Sequence, residues 1–168
     1  MNHAQLNKDD DDLMMVSVSE LFSRVALELK ESHEPETKLT TKIDETPKLF
    51  IYPNQIAILF RNLIPNAIKF KKDNNIEVLV SLEHDLYTEE NTHYHRIRIK
   101  DDGIGFDTKF SKKIFDLFNE LSLSPNSSKK SIGLNTCRKI MENHHGFITA
   151  NSDSSNGAIF TCTFPVEG

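Results

Sequence analysis

One segment of this 168-residue chain has two readable faces, and together they restrict the fold more than any other feature. From Pro53, a residue suited to a first helical turn, to about Lys71, the residues Ile56, Leu59, Phe60, Leu63, Ala67 and Phe70 recur at the spacing of one helical stripe. Such a stripe must be buried against another layer. Asn62, Asn66 and Lys69 stand four and three residues apart and line up on a different face. Two amides and one ammonium on one face can together meet a hydrated cation and a polyphosphate, because amide oxygens suit hard cations and lysine supplies a point charge. Taken alone, the same residues would equally serve as a solvated helix flank.

The rest of the chain supplies the layer that this helix needs. Leu13, Met14, Val16 and Val18 suggest a short strand, and Ser19 is read as the N-cap of a helix carrying Leu21, Phe22, Val25, Ala26 and Leu29 on one side. Short strands are expected at 39–43 and 49–51, then at 76–82 and 96–100 with a polar loop at 84–95. A glycine-containing loop at 101–107 leads to a short helix near 112–117. A Ser/Asn/Lys-rich stretch at 122–131 precedes a helix at 132–144. Strands at 147–151 and 158–164, joined by the turn-prone Asp153-Ser154-Ser155-Asn156-Gly157, close the chain. Strands interleaved with a few helices predict an α+β chain folded as a two-layer α/β sandwich. Its sheet is expected to be mixed, mostly antiparallel and covered on one face. Residues 1–12 read as a polar linker or disordered tail and 13–168 as one domain; the acidic run Asp9–Asp12 is a solvated end, not a metal site.

Composition removes several function classes. Hydrophobic residues at 38% and charged residues at 27% describe an ordinary soluble domain. A net charge of −5 and a pI near 5.8 argue against a nucleic-acid partner. No apolar run approaches the ~20 residues of a membrane span, and the N-terminus does not resemble a signal peptide. A cytoplasmic chain without membrane contact of its own is expected, while the parent protein stays free to be membrane-anchored. Cys137 and Cys162 have neither zinc nor disulfide-framework spacing and are expected to be buried thiols. His93 and His95 share one face of a strand end but lack a third ligand, so they read as exposed edge residues.

Two further segments carry chemistry. Asp101-Asp102-Gly103-Ile104-Gly105-Phe106-Asp107 follows a strand; its glycines permit close approach of a flat ligand and its carboxylate can accept a hydrogen bond from an exocyclic amine. Lys129-Lys130-Ser131-Ile132-Gly133-Leu134 opens the penultimate helix, where unpaired N–H groups and the positive dipole end suit phosphate.

In order and spacing these segments resemble the histidine-kinase branch of the gyrase, heat-shock chaperone and mismatch-repair ATPase superfamily. LFRNLIPNAIKF (59–70) is similar to its N box, DDGIGFD (101–107) to its G1 box and KIFDLFNEL (113–121) to its F box. SIGLNTCRKIMENHHGFITANSD (131–153) followed by GAIFTCTFP (157–165) resembles its G2 box and closing strands, and DETPKLFIYPNQIAIL (44–59) its lead-in. The resemblance spans about 13–165. It implies the Bergerat ATP-binding fold with a flexible ATP lid, and ATP with Mg²⁺ as ligands.

On that resemblance Asn66 holds Mg²⁺, Asn62 is the earlier N-box amide, Lys69 reaches the phosphates and Phe70 borders the nucleotide. Asp101 reads the adenine amino group, and Gly103 and Gly105 shape the pocket wall. Ile114, Phe115 and Phe118 pack against the lid, Lys129 and Lys130 add charge, and Gly133 and Leu134 close over the phosphates.

Three positions depart from the pattern. Lys129 and Ser131 stand where the G2 box has glycines, Pro65 interrupts the N-box helix, and Ile159 stands where relatives often carry threonine. The implied activity is that of a sensor histidine kinase catalytic domain passing the γ-phosphoryl group of ATP to a histidine. None of the seven histidines here has the context of that acceptor, so a separate helical dimerisation domain must supply it, and a response regulator receiver domain is the onward partner. In isolation a monomer is expected. The alternatives are a degenerate, non-catalytic docking module and a serine kinase of the anti-sigma type.

Overall fold

Alternation of apolar and polar residues builds a sheet with one wet and one dry face. The computed structural model describes residues 12–32, 38–69, 77–103, 128–153 and 157–166. In chain order the elements are β1 (Met14–Ser17), α1 (Val18–Ser32), β2 (Lys38–Ile43), β3 (Lys48–Ile51), α2 (Pro53–Lys69), β4 (Glu77–Glu89), β5 (Thr92–Asp101), α3 (Ser128–Asn143), β6 (Phe147–Asp153) and β7 (Gly157–Pro165). Five strands form one sheet in the order β2-β4-β5-β7-β6, while β1 and β3 pair as a separate ribbon. Only β2–β4 is parallel within the larger sheet, so it is mixed and mostly antiparallel, as expected.

Val78, Val80 and Leu82 of β4, Ile97 and Ile99 of β5, Ile148 and Ala150 of β6, and Phe160, Cys162 and Phe164 of β7 turn to one face and are buried there. The three described helices cover that face. Phe22 of α1 meets Phe60 of α2 edge-on at 5.0 Å. The opposite face carries charge: Lys100 bonds Glu83, and Arg96 and Arg98 share Asp85. Ion pairs on an open sheet face contribute little stability each, but they set cross-strand partners.

Contacts between α2 and α3 fix their relative direction. Near the start of α2, the Tyr52 N–H donates to Nε2 of His144, and Asn143 donates to Gln55. Farther along, the Cys137 thiol meets the Leu59 carbonyl. The two helices are therefore antiparallel, and the start of α3 lies beside the end of α2. His144 also stacks edge-on against Phe164, which pairs in register with His95 near the beginning of β5. The start of α2 thus sits over the end of the sheet where β5 begins, and its far end points toward Asp101.

Three sequence-based expectations change. The stretch 84–95 is not a loop: β4 and β5 continue as a hairpin to the turn Glu90-Asn91, whose φ values of 49° and 66° suit a two-residue primed turn. Glutamate at positive φ hid that turn, while Asp85–Arg96 and the Arg96 guanidinium over the Tyr87 ring secure the pairing. The cap of α1 is Ser17, whose Oγ accepts from the Glu20 N–H. Ser19 instead lies buried, with its N–H donating to the Thr46 hydroxyl and its Oγ accepting from the Thr46 N–H. Helix α3 starts at Ser128, four residues ahead of the position expected from the sequence.

Both cysteines are buried free thiols, as expected. Burial pushes Cys162 up to about 12 and Cys137 well above the ordinary thiol range. At neutral pH neither forms a thiolate, so neither should react. Titration with a chromogenic disulfide reagent is expected to register no thiol in native protein and both in guanidinium. Fast modification of either in the native state would contradict this packing.

Candidate functional site

The two faces read from the sequence of α2 survive folding. Ile56, Leu59, Phe60, Leu63 and Ala67 are buried in the core, joined by Gln55, Ala57 and Ile64, because α1 and α3 flank the helix on either side. Asn66 is 7% exposed, and Asn62 is half-buried with its Nδ2 donating to the Ile58 carbonyl at 3.0 Å. That bond turns the Asn62 amide back along its own helix. Pro65 has no N–H for the Arg61 carbonyl, yet α2 runs unbroken from Pro53 to Lys69. Asn62 and Asn66 therefore keep their one-turn separation. The side chain of Lys69, and all of Phe70, lie outside the described residues.

At the end of β5, Asp101 is set by backbone donors. Its Oδ1 accepts from the Gly103 N–H at 2.8 Å and from the Ala158 N–H at 3.3 Å. Both bonds fall on one oxygen, and among the described residues no donor reaches Oδ2. Burial of the carboxyl raises the Asp101 pKa; the two N–H groups oppose that rise and neighbouring Asp102 adds to it. Asp102 is itself tied down, its Oδ1 accepting from the Leu79 N–H. Gly103 is buried beside them, while Gly105, Ile114, Phe115 and Phe118 lie outside the described residues.

Gly157 packs directly on this carboxylate. Its φ is +91°, and a Cβ there would stand 2.2 Å from the Asp101 carbonyl oxygen and 2.8 Å from Oδ1. No side chain fits. Gly157, Ala158 and Ser152 were not among the sequence candidates, because they act through backbone geometry that only the pairing of β6, β7 and β5 creates. Ile159 pairs with Lys100 and Asn151 on the outer face, whereas Ala158 is buried on the inner face next to Asp101. A hydroxyl at 159 would point away from the carboxylate.

The opening of α3 differs from a glycine-rich loop. Lys129, Lys130, Ser131 and Gly133 are helical, a conformation that needs no glycine, and the first turn has no acidic residue. Lysines at a helix N-terminus oppose the macrodipole, a conflict that a bound anion relieves. The side chains of Lys129 and Lys130 are outside the described residues. Leu134, expected to close over the phosphates, is instead a core side chain at 1% exposure.

Because α2 and α3 are antiparallel, the start of α3 and the Asn66 end of α2 are neighbours. Both lie toward the end of the sheet where Asp101 stands between Val80 and Ala158. The remaining histidine candidates are occupied elsewhere: His95 hydrogen-bonds His84 at 3.0 Å and His93 bonds Thr88 at 2.8 Å. No cluster of three or more His, Cys, Asp or Glu fit for a metal occurs among the described residues.

A family model described as histidine kinase-, DNA gyrase B- and HSP90-like ATPase matches residues 52–168. This chain belongs to that family. Among curated relatives, cyanobacterial phytochrome A from Nostoc sp. is 34% identical over 79% of this chain and 17% of its own length. Sensor protein kinase WalK from Staphylococcus aureus is 32% identical over 97% of this chain and 26% of its own length. The chain thus spans about a quarter or less of these relatives. Among solved structures, the ATP binding domain of PrrB from Mycobacterium tuberculosis superposes with a TM-score of 0.64 at 19% identity, covering 94% of this chain and all of that one. The nucleotide-free catalytic domain of histidine kinase ThkA superposes with a TM-score of 0.66 at 24% identity, covering 92% and 96%. This likeness gives the ATPase family fold, with helices on one face of a mixed sheet.

A carboxyl whose pKa is raised on folding makes the fold less stable once pH exceeds that value, because its ionised form is disfavoured there. The amide of Asp101→Asn keeps an Oδ1 acceptor for Gly103 and Ala158 without the charge. This variant is expected to melt at or above the wild-type Tm at pH 7, as read by calorimetry. A Tm several degrees lower would show that the ionised carboxylate supports the scaffold.

Proposed function

We propose that this chain is the ATP-binding catalytic domain of a two-component sensor histidine kinase. It binds Mg-ATP between α2, the end of β5 and the start of α3, and presents the γ-phosphoryl group to a histidine on a helical domain outside this sequence. The observation that carries the reading is the Asp101 carboxylate. It is half-buried at a sheet end and held through Oδ1 by two backbone N–H groups, which leaves Oδ2 to accept from an exocyclic amine. Purines with that amine would be selected over those with a carbonyl there.

Asn66 supplies the amide oxygen for Mg²⁺, with Asn62 beside it on the same face. Lys69 and the lysine-bearing first turn of α3 (Lys129 and Lys130, with the Gly133 backbone) meet the phosphates; Phe70, Gly103, Gly105, Ile114 and Phe118 complete the pocket. Catalysis of this kind rests on positioning and charge neutralisation more than on covalent chemistry. The nucleophile belongs to the partner helix, and a receiver domain takes the phosphoryl group next. Residues 13–168 form this unit, led by a polar segment at 1–12. Use of ATP as phosphoryl donor gives the domain a cytoplasmic setting; no described helix is long and apolar enough to cross a membrane.

Relatives that are a sensor protein kinase and a phytochrome support this reading over a docking module or a serine kinase. The helical start of α3 also weakens the case for degeneracy, since Lys129 and Ser131 are acceptable there.

Calorimetric titration with ATP, with and without Mg²⁺, tests the proposal. Asn66→Ala is expected to abolish the Mg²⁺ dependence and weaken binding at least tenfold, on the order of 1.4 kcal/mol. Asp101→Asn should weaken ATP by a similar factor while leaving tripolyphosphate binding unchanged. Wild-type affinity is expected to fall as acidity protonates Asp101, at a higher pH than an ordinary carboxylate would give. Absence of binding at millimolar ATP would leave the docking module as the better description. Phosphoryl transfer is then measured by adding the helical domain with its histidine.

A further inference from the structure

A single peptide unit is held from both sides next to the nucleotide-reading carboxylate. The Gly157 carbonyl accepts a hydrogen bond from Ser152 Oγ at 3.1 Å, and the Ala158 N–H of the same peptide donates to Asp101 Oδ1 at 3.3 Å. A trans peptide places its C=O and N–H on opposite edges. Strand β7 lies between β6 and β5, so one edge faces Ser152 and the other faces Asp101. Ser152 is 7% exposed and stands opposite Ala158 in the β6–β7 register.

We infer that Ser152 is a positioning residue for purine recognition: its hydroxyl, acting through the Gly157–Ala158 peptide, holds the Asp101 carboxylate in its reading orientation. This rests on the assignment of Asp101 to the purine amine.

The flanking glycine is what makes the hydroxyl necessary. Gly157 allows the peptide to approach Asp101 because a Cβ would collide with it, yet glycine also gives that peptide unusual freedom to rotate. The Ser152 hydroxyl removes that freedom by fixing the carbonyl edge, which aims the N–H at Oδ1. Hydrogen bonds in series also polarise one another, so a donor on the carbonyl strengthens the N–H bond to the carboxylate. Without the hydroxyl the peptide can swing, Oδ1 loses one of its two donors, and Oδ2 is no longer aimed. Loss of a donor to the charged form also raises the carboxyl pKa further.

The test uses the full chain with Ser152→Ala, the hydroxyl-keeping Ser152→Thr and its isostere Ser152→Val, with Asp101→Asn as reference. In nucleotide-free protein, NMR hydrogen exchange at the Ala158 amide should accelerate about tenfold in the Ala and Val variants and stay near wild type in Thr. ATP affinity should fall about fivefold in Ala and Val, as expected for one net hydrogen bond. Affinity for purine riboside triphosphate, which has no exocyclic amine to give the carboxylate, should not change, so the ratio of ATP affinity to that of the analogue falls by the same factor. The acid limb of ATP binding should move to higher pH. Wild-type exchange and a wild-type ratio of ATP to purine riboside triphosphate affinity in Ser152→Ala overturn the inference, as does equal weakening of both nucleotides with a lowered Tm. Should wild-type protein fail to bind ATP, or Asp101→Asn bind it normally, the purine assignment fails and the positioning role with it. The Ala158 exchange in apo protein then still shows whether Ser152 holds the peptide.

Discussion

Helix α2 cannot rotate about its axis, and the site depends on that. Its buried residues contact α1, α3 and the sheet at once, with Phe60 set edge-on against Phe22 and the Leu59 carbonyl facing Cys137. Turning the helix by one residue would move several of these side chains out of a close-packed interior, at a cost of a few kcal/mol for each large apolar group exposed. The same rotational lock sets the direction of Asn62 and Asn66. The two amides therefore take their direction from the helix core.

The carboxylate at the end of β5 is organised on a different principle. Asp101 depends on backbone: two N–H groups, a glycine that leaves room, and a serine that steadies the peptide between. Burial works against its ionised form, and the backbone donors only partly offset this. A site that holds a charge against desolvation costs stability and serves recognition, a trade common where function and folding compete. The start of α3 shows the same conflict in another form, with lysines placed at the positive end of a helix.

Far from this pocket the molecule spends its polar residues on architecture. The hairpin of β4 and β5 is fastened by Asp85, Arg96 and Arg98 outside and by His84 with His95 inside. Burial lowers both histidines, so the pair is held as neutral rings at physiological pH. His144 lies at the same end of the sheet, accepting from Tyr52 while packed between its ring and that of Phe164. His93 and His95, which look like a ligand pair in the sequence, are structural here, because strand pairing brings one ring nitrogen of each a partner in Thr88 and His84.

Periodicity and box order by themselves determined the α+β sandwich, the two faces of α2, the buried thiols and the family resemblance, because these depend on residue type and local spacing. Spacing could not reveal the long hairpin, whose Glu90-Asn91 turn lacks the usual Asn-Gly signal. It also missed the true cap of α1, since Ser17 and Ser19 are chemically identical and only the contact with Thr46 separates them. Tertiary structure alone decided that Leu134 belongs to the core, that Ile159 faces outward and that Ala158 faces Asp101. The reason is physical: side-chain direction along β7 alternates with a phase set by its pairing to β5 as well as to its neighbour β6, and β5 lies far from it in the chain.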